Sequence, residues 1–288
     1  MKRLIVNADD FGLTRGVNRA IAEAHQHGVV TSATVMAAGA ELADALALAK
    51  QLRQLSVGCH IDLIQLAPVL PTSHLQTLTN GATFRPGFLT FATAALGNRL
   101  SSTQITAEAE AQMAKLQSAG IELSHFDTHK HTHMFPQVLR PLLKAAKTRG
   151  VRAVRNPFEP DPLLRFSDLA LQPALVMRYG AVRAFRSMSG KFRRIVNEEG
   201  FVTTDGTVGI TLTGFLDEGK LHGLIGRIPE GTWELVTHPG YCDGVLGPLS
   251  SLTKSRETEL ALLTSERTRS LLQELGVQLI SYRDLIRL

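Results

Sequence analysis

Asp9 and Asp10 stand side by side at the end of the first apolar run, in LIVNADDFG. Adjacent carboxylates repel each other and are costly to desolvate, so a buried strand should not run into them without compensation. A divalent cation supplies it, lowering the local potential and keeping both groups ionised. Imidazoles that could complete its coordination occur elsewhere. His60 ends a second apolar run in VGCHIDL, and HFDTHKHTHMFP carries His125, Asp127, His129, His131 and His133. Asp10, His60 and one histidine of that cluster would form an Asp-His-His site with open positions, as a hydrolytic metal requires. Carboxylate plus imidazole suits Zn, Mn, Co or Mg and demands no redox metal. If 125–133 is extended, its odd positions share one face. Asp127, His129, His131 and His133 would then lie together, with Phe126, Thr128 and Lys130 opposite. His238, in LVTHPGY, closes another apolar run before the turn that Pro239-Gly240 forces. It reads either as a core histidine bonded to backbone or, beside a metal, as a general acid with a pKa near working pH.

The elements that would position these groups alternate. Strands are expected at 4–8, 29–37, 57–63, from 124 through the histidine run, 151–155, 233–237 and 277–281. Helices are expected at 15–27, 40–52, 103–119, 136–149 and 255–274, several closed by glycine. Repeated strand–helix units imply a parallel sheet, closed as a barrel or doubly wound, with every candidate ligand at a C-terminal strand end. The expected fold is α/β, a distorted (β/α) TIM-like barrel in a single domain over 1–288. Two stretches break the rhythm: 67–91, which reads as a long loop, and about 156–206, which reads as an irregular insertion or lid. In the latter, Leu175, Val176, Met177, Val182 and Phe185 are interleaved with Arg178, Arg183, Arg186, Lys191, Arg193 and Arg194. It is either a cap on the barrel or a basic, apolar surface for an anionic membrane or lipid substrate.

With 288 residues, 44% of them hydrophobic, the chain can bury a full core. No apolar run is long enough to cross a bilayer, and no secretory leader is recognisable. Cys59 and Cys242 give no disulfide framework, which suits a reducing cytoplasm. A net charge of +5 comes without any nucleic-acid-binding motif, so nucleic acid is not an expected partner.

Together NADDFGLTRGVNRAIAEAHQHGVVTSATVM, VGCHIDL, HFDTHKHTHMFPQV, TDGTVGI, ELVTHPGYCD and ELGVQLISYRDL resemble the YdjC/ChbG-like carbohydrate deacetylase family. The opening block and tail are most similar to its hopanoid-biosynthesis branch. The resemblance implies one divalent cation, Mg or Zn, held by Asp10, His60 and His129. It implies Asp9 as the base toward the attacking water and His238 as the acid toward the leaving amine. His131, His133 and Tyr241 are candidate substrate contacts. The implied substrate is an N-acetylated amino sugar, lipid-linked as in an N-acetylglucosaminyl hopanoid. The protein would be a cytoplasmic homodimer touching the inner membrane peripherally. One departure is Lys130, where the family pattern has histidine. Deacetylation of soluble chitooligosaccharides, metal-dependent phosphoester hydrolysis and non-catalytic sugar or lipid binding are the competing readings.

Overall fold

The computed structural model describes residues 1–160 and 172–288. Its strands are β1 (Lys2–Phe11), β2 (Ser32–Val35), β3 (Ser56–Ile61), β4 (Thr79–Asn80), β5 (Thr83–Phe84), β6 (His125–Thr128), β7 (Ala153–Val154), β8 (Gly206–Val208), β9 (Gly231–Thr237) and β10 (Val277–Leu279). All but the small antiparallel β4–β5 ribbon form one parallel sheet in the order β7-β6-β3-β2-β1-β9-β8, with β10 added at the start of β1. The edges meet through a few bonds between 152–158 and 202–207. Val154 N donates to Val202 O at 3.0 Å, Val202 N to Arg152 O at 2.9 Å, and Thr207 N to Phe158 O at 3.1 Å. The result is a distorted (β/α) barrel whose seam is held far more thinly than its other edges.

The helices pack outside it because their apolar stripes match the outward face of the strands. Arg15–Gln26 buries Val17, Ala20, Ile21 and Ala24, and Thr14 caps it by accepting from Val17 N. Along β1, Leu4, Val6 and Ala8 join this outer core, while Ile5 faces a separate inner cluster with Ala153, Ile280, Tyr282 and Leu285. That inner cluster plugs the bottom of the barrel. Above it the interior is polar.

Several boundaries differ from the sequence expectation. The expected helix at 255–274 is two, Lys254–Thr264 and Glu266–Glu274, broken at Ser265. The expected loop at 67–91 holds the β4–β5 ribbon and the start of the helix Phe88–Leu96. Most consequential, the His-rich stretch is strand only to Thr128. His129–Met134 then forms a tight helical turn in which Lys130 and His131 adopt left-handed backbone, φ 53° and 55°. The odd–even alternation therefore holds only through Thr128, and Lys130 lines the cleft described below rather than facing away from it.

In the segment expected to be irregular, the described residues form two helices, Pro173–Phe185 and Ser189–Glu198, the second burying Phe192, Ile195 and Val196. Residues 161–171, within the expected insertion or lid, lie outside the described residues. Leu175 is buried, and Val182 and Phe185 face the cleft, so of the five apolar residues named above only Val176 and Met177 are exposed.

Candidate metal and catalytic site

The parallel register explains how residues far apart in sequence meet. His60 of β3 is paired with Asp127 of β6, and Ala8 of β1 with Thr237 of β9, which sets Asp9 beside His238. In a regular strand Asp9 and Asp10 would point to opposite faces. Here β1 carries an extra residue against β2, because the pairs Ala8–Ala33 and Phe11–Val35 enclose two residues on β1 and one on β2. Such a bulge re-aims side chains. Asp10 takes a left-handed φ of 67° within it, and both carboxylates reach the mouth of the barrel.

Asp10, His60 and His129 converge. Asp10 Oδ1 lies 3.6 Å from His60 Nε2 and 3.5 Å from His129 Nδ1, and these two nitrogens are 3.2 Å apart. Asp10 Oδ1 is buried and has no hydrogen-bond partner among the described residues, an expensive condition that a cation would relieve. His60 Nδ1 donates to Asp127 Oδ1 at 2.7 Å, which fixes the tautomer and turns Nε2 toward Asp10. The residues therefore fit a divalent ion with two imidazole ligands and one carboxylate. Asp9, His60 and Asp127 also lie close enough to share an ion. That position already has its cation, since Arg155 binds both carboxylates there.

Arg155 is fully buried at the end of β7 and organises the interior. Its guanidinium donates to Asp9 at 2.6 and 2.8 Å and to Glu234 at 2.8 Å, and it pairs with Asp127 at 2.5 Å. Glu234 also accepts the Tyr282 hydroxyl, and Tyr282 stacks on His125 at 3.7 Å. Burial would raise the pKa of Asp9, but Arg155 outweighs it and holds the carboxyl far below the usual range. Burial would likewise lower His60, yet Asp127, Asp9 and Asp10 push it up to about 9. His238 goes the other way: burial lowers it to about 4 against the pull of Asp9 and Asp10, so at neutral pH it is uncharged. Its Nε2 is 3.8 Å from Asp9 Oδ2, and its Nδ1 is buried without a partner among the described residues.

These groups open into a cleft of about 870 Å³, with Lys130, His131 and Arg178 also on its wall. His129 Nε2 meets Gln65 Oε1 at 2.9 Å at the edge of the cleft. His133 lies elsewhere. It is buried between Thr128 Oγ1 and the Arg155 carbonyl, and burial lowers its pKa to about 3. Tyr241 lines a different surface hollow, its hydroxyl donating to Glu23 at 2.5 Å and its ring under Arg19. Of the three candidate substrate contacts, the cleft thus contains His131 alone. Sequence reasoning did not single out Arg155, Glu234, Tyr282, Arg256 or Glu259. Glu234 carried a signal, a lone acid inside the apolar run TWELVT, as did Arg155, a charge closing the run VRAVR.

Comparison with known proteins agrees with this architecture. A solved structure from Enterococcus faecalis superposes with a TM-score of 0.74 at 24% identity, over 99% of this chain and 98% of that one. A protein of Geobacillus stearothermophilus described as a carbohydrate deacetylase is 34% identical, covering 99% of this chain and 98% of its own length. One of the same description from Brevibacillus brevis is 32% identical over 98% and 99%. A chitooligosaccharide deacetylase of Proteus mirabilis is 30% identical over 98% of each. The pattern of one family, YdjC-like protein, matches residues 3–274, and the chain belongs to that family.

Proposed function

We propose that this protein is a metal-dependent carbohydrate N-deacetylase. The observation that carries the reading is the buried Oδ1 of Asp10, without a hydrogen-bond partner among the described residues, between two imidazole nitrogens and next to an Asp9 held ionised by Arg155. The relatives described as carbohydrate deacetylases support the bond and substrate class. Asp10, His60 and His129 would hold the cation. When bound it would supply Lewis-acid polarisation of the acetyl carbonyl and acidify the attacking water.

The remaining work falls to the chain. Asp9, always ionised, holds the attacking water by accepting its hydrogen bond. Arg155 makes Asp9 a weak base, so proton transfer waits until the carbon–oxygen bond is forming. His238 is neutral, and it must gain a proton before it can give one to the leaving amine. The proton released beside Asp9, 3.8 Å away, is the nearest source. Gln65 limits the rotation of His129 by accepting from its Nε2, which leaves Nδ1 directed at Asp10.

For the acceptor, we infer an amino sugar carried on an apolar lipid of the hopanoid type. Beyond the charged centre the cleft wall is built from Leu66, Phe88, Met134, Val182, Phe185 and Leu249, which suits an aliphatic or polycyclic aglycone better than a second sugar. Exposed Val176 and Met177 on Pro173–Phe185, with the basic residues that follow, would meet an anionic membrane surface, and a homodimer belongs to the same reading. No helix among the described residues is long and apolar enough to cross a membrane. Acetate release from an N-acetylglucosaminyl lipid in mixed vesicles, set against chitobiose, tests the substrate. A preference for chitobiose, with no salt-sensitive sedimentation on anionic vesicles, would overturn the lipid assignment and leave the deacetylase.

A further inference from the structure

Behind the metal-facing oxygen of Asp10 stands a second buried guanidinium. Arg256, in the first turn of the helix Lys254–Thr264, is 1% exposed, and its Nη2 lies 2.5 Å from Asp10 Oδ2. The same nitrogen donates to Ser250 Oγ at 3.2 Å, and Nε donates to Leu252 O at 3.1 Å. Ser250 and Leu252 both line the cleft. Nη1 is buried and has no partner among the described residues, and the fork engages the carboxylate through a single prong. The backbone is fitted to the side chain from the other side. Gly240 N donates to Arg256 O at 3.2 Å, and a Cβ on Gly240 would come within 2.8 Å of Arg256 Cδ. Three residues on, Glu259 accepts from His238 N at 2.6 Å. One helix face thus grips both Asp10 and the loop carrying His238.

A carboxylate ligates either through one oxygen or through both. With Oδ2 taken by Arg256 and Asp10 fixed in left-handed backbone, only Oδ1 is free to face the two histidines. The guanidinium also draws electron density from that carboxylate and places a positive charge behind it. Both effects weaken the hold on a cation. Both also leave the cation more electron-poor, hence a stronger Lewis acid toward a carbonyl.

We propose that Arg256 is a positioning residue that confines Asp10 to single-oxygen ligation and, through its charge, trades cation affinity for electrophilic strength. This rests on the metal-dependent reading above. Cation affinity is measured without substrate, however, so failure of the deacetylase reading and failure of Arg256's role are separable. The test compares Arg256→Gln and Arg256→Lys with the unaltered protein. Zn and Mn dissociation constants come from competition with a chromophoric chelator, folding from far-ultraviolet circular dichroism, and kcat and KM from acetate release. Arg256→Gln should bind Zn at least as tightly as the unaltered protein, while kcat falls about 10–100-fold with little change in KM. Arg256→Lys keeps the charge and should stay within about threefold of the parent affinity, with an intermediate kcat. A purely structural arginine would lose affinity and rate together, and that result in Arg256→Gln overturns the proposal. So does an Arg256→Gln that matches the parent in both. If Arg256→Gln does not fold, Arg256→Lys decides: a tenfold or greater loss of Zn affinity in a folded protein refutes the role assigned to the charge.

Discussion

Cation binding at Asp10, His60 and His129 should release a proton at neutral pH, and the amount follows from His60. Its ordinary pKa is 6.5, and in the metal-free fold the carboxylates of Asp127, Asp9 and Asp10 outweigh burial to raise it to about 9. Nδ1 keeps its hydrogen on Asp127, so the proton that must leave is the one on Nε2, the ligating nitrogen. At pH 7 that proton sits about two units below its pKa. The competition therefore weakens apparent affinity by about 100-fold, or about 2.7 kcal/mol at 1.36 kcal/mol per unit. Affinity for Mg or Mn should tighten about tenfold per unit from pH 7 toward 9 and level off above that. An unperturbed histidine would be level already at pH 7.5. Titration calorimetry in buffers of different ionisation enthalpy reads the release directly, with about one proton per cation expected at pH 7. The same shift fixes a stability profile for the metal-free protein. A raised folded-state pKa contributes stability that is full below pH 6.5 and lost as pH rises through 9, on the order of 3 kcal/mol in all. The metal-loaded protein should not show that loss. Asp127→Asn removes the strongest upward influence on His60 and should move the break in affinity to lower pH. Affinity flat from pH 7 to 9 with no proton release would refute the assignment of His60 Nε2 as a ligand.

Asp9→Asn should retain the cation yet lose about 10²–10⁴-fold in kcat, as should His238→Ala, because each removes a proton-transfer partner and no ligand; metal content by plasma emission and acetate release separate the two effects. Since burial lowers His238 to about 4, the acid limb of kcat set by this residue should fall near pH 4 rather than 6.5, which a pH–rate profile checks. Gly58→Ala would bring a Cβ to 2.5–2.8 Å from the His125 ring, itself fixed by Tyr282, Ser124 and Asn7. It should cost about 1–3 kcal/mol in urea unfolding without altering which residues bind metal.

What the sequence makes legible here is what local pattern controls. Apolar runs ending in Asp10, His60 and His238 predict strands that deliver chemistry at their C-terminal ends, and the parallel register does bring those ends together. Two features resist that reading because they depend on backbone detail. The bulge that turns Asp9 and Asp10 to the same side arises from a register slip against β2, which no single-strand periodicity encodes. The left-handed pair Lys130–His131 ends the strand four residues into the histidine run, so His133 goes to the core and Lys130 to the cleft. The Arg155 network is only partly legible, for a different reason. Arg155 and Glu234 each stand out as a charge against an apolar run, but the members come from four strands and the C-terminal tail, and no local pattern says that Asp9, Asp127 and Glu234 will surround Arg155. Tyr241, a candidate substrate contact, instead lines a separate surface hollow with its hydroxyl on Glu23, a placement that depends on the path of the chain after Pro239-Gly240.

The most direct test is a metal titration of the chelator-stripped protein with acetate release from an N-acetylglucosaminyl substrate as the readout. Metal-dependent deacetylation predicts no acetate without metal, activity rising to a plateau at one equivalent of cation, and loss of both binding and turnover in His60→Ala and His129→Ala. Acetate release that persists in the stripped protein, or full metal occupancy in both histidine variants, would contradict the site. Absence of acetate from soluble and lipid-linked substrates alike at saturating metal would contradict the activity.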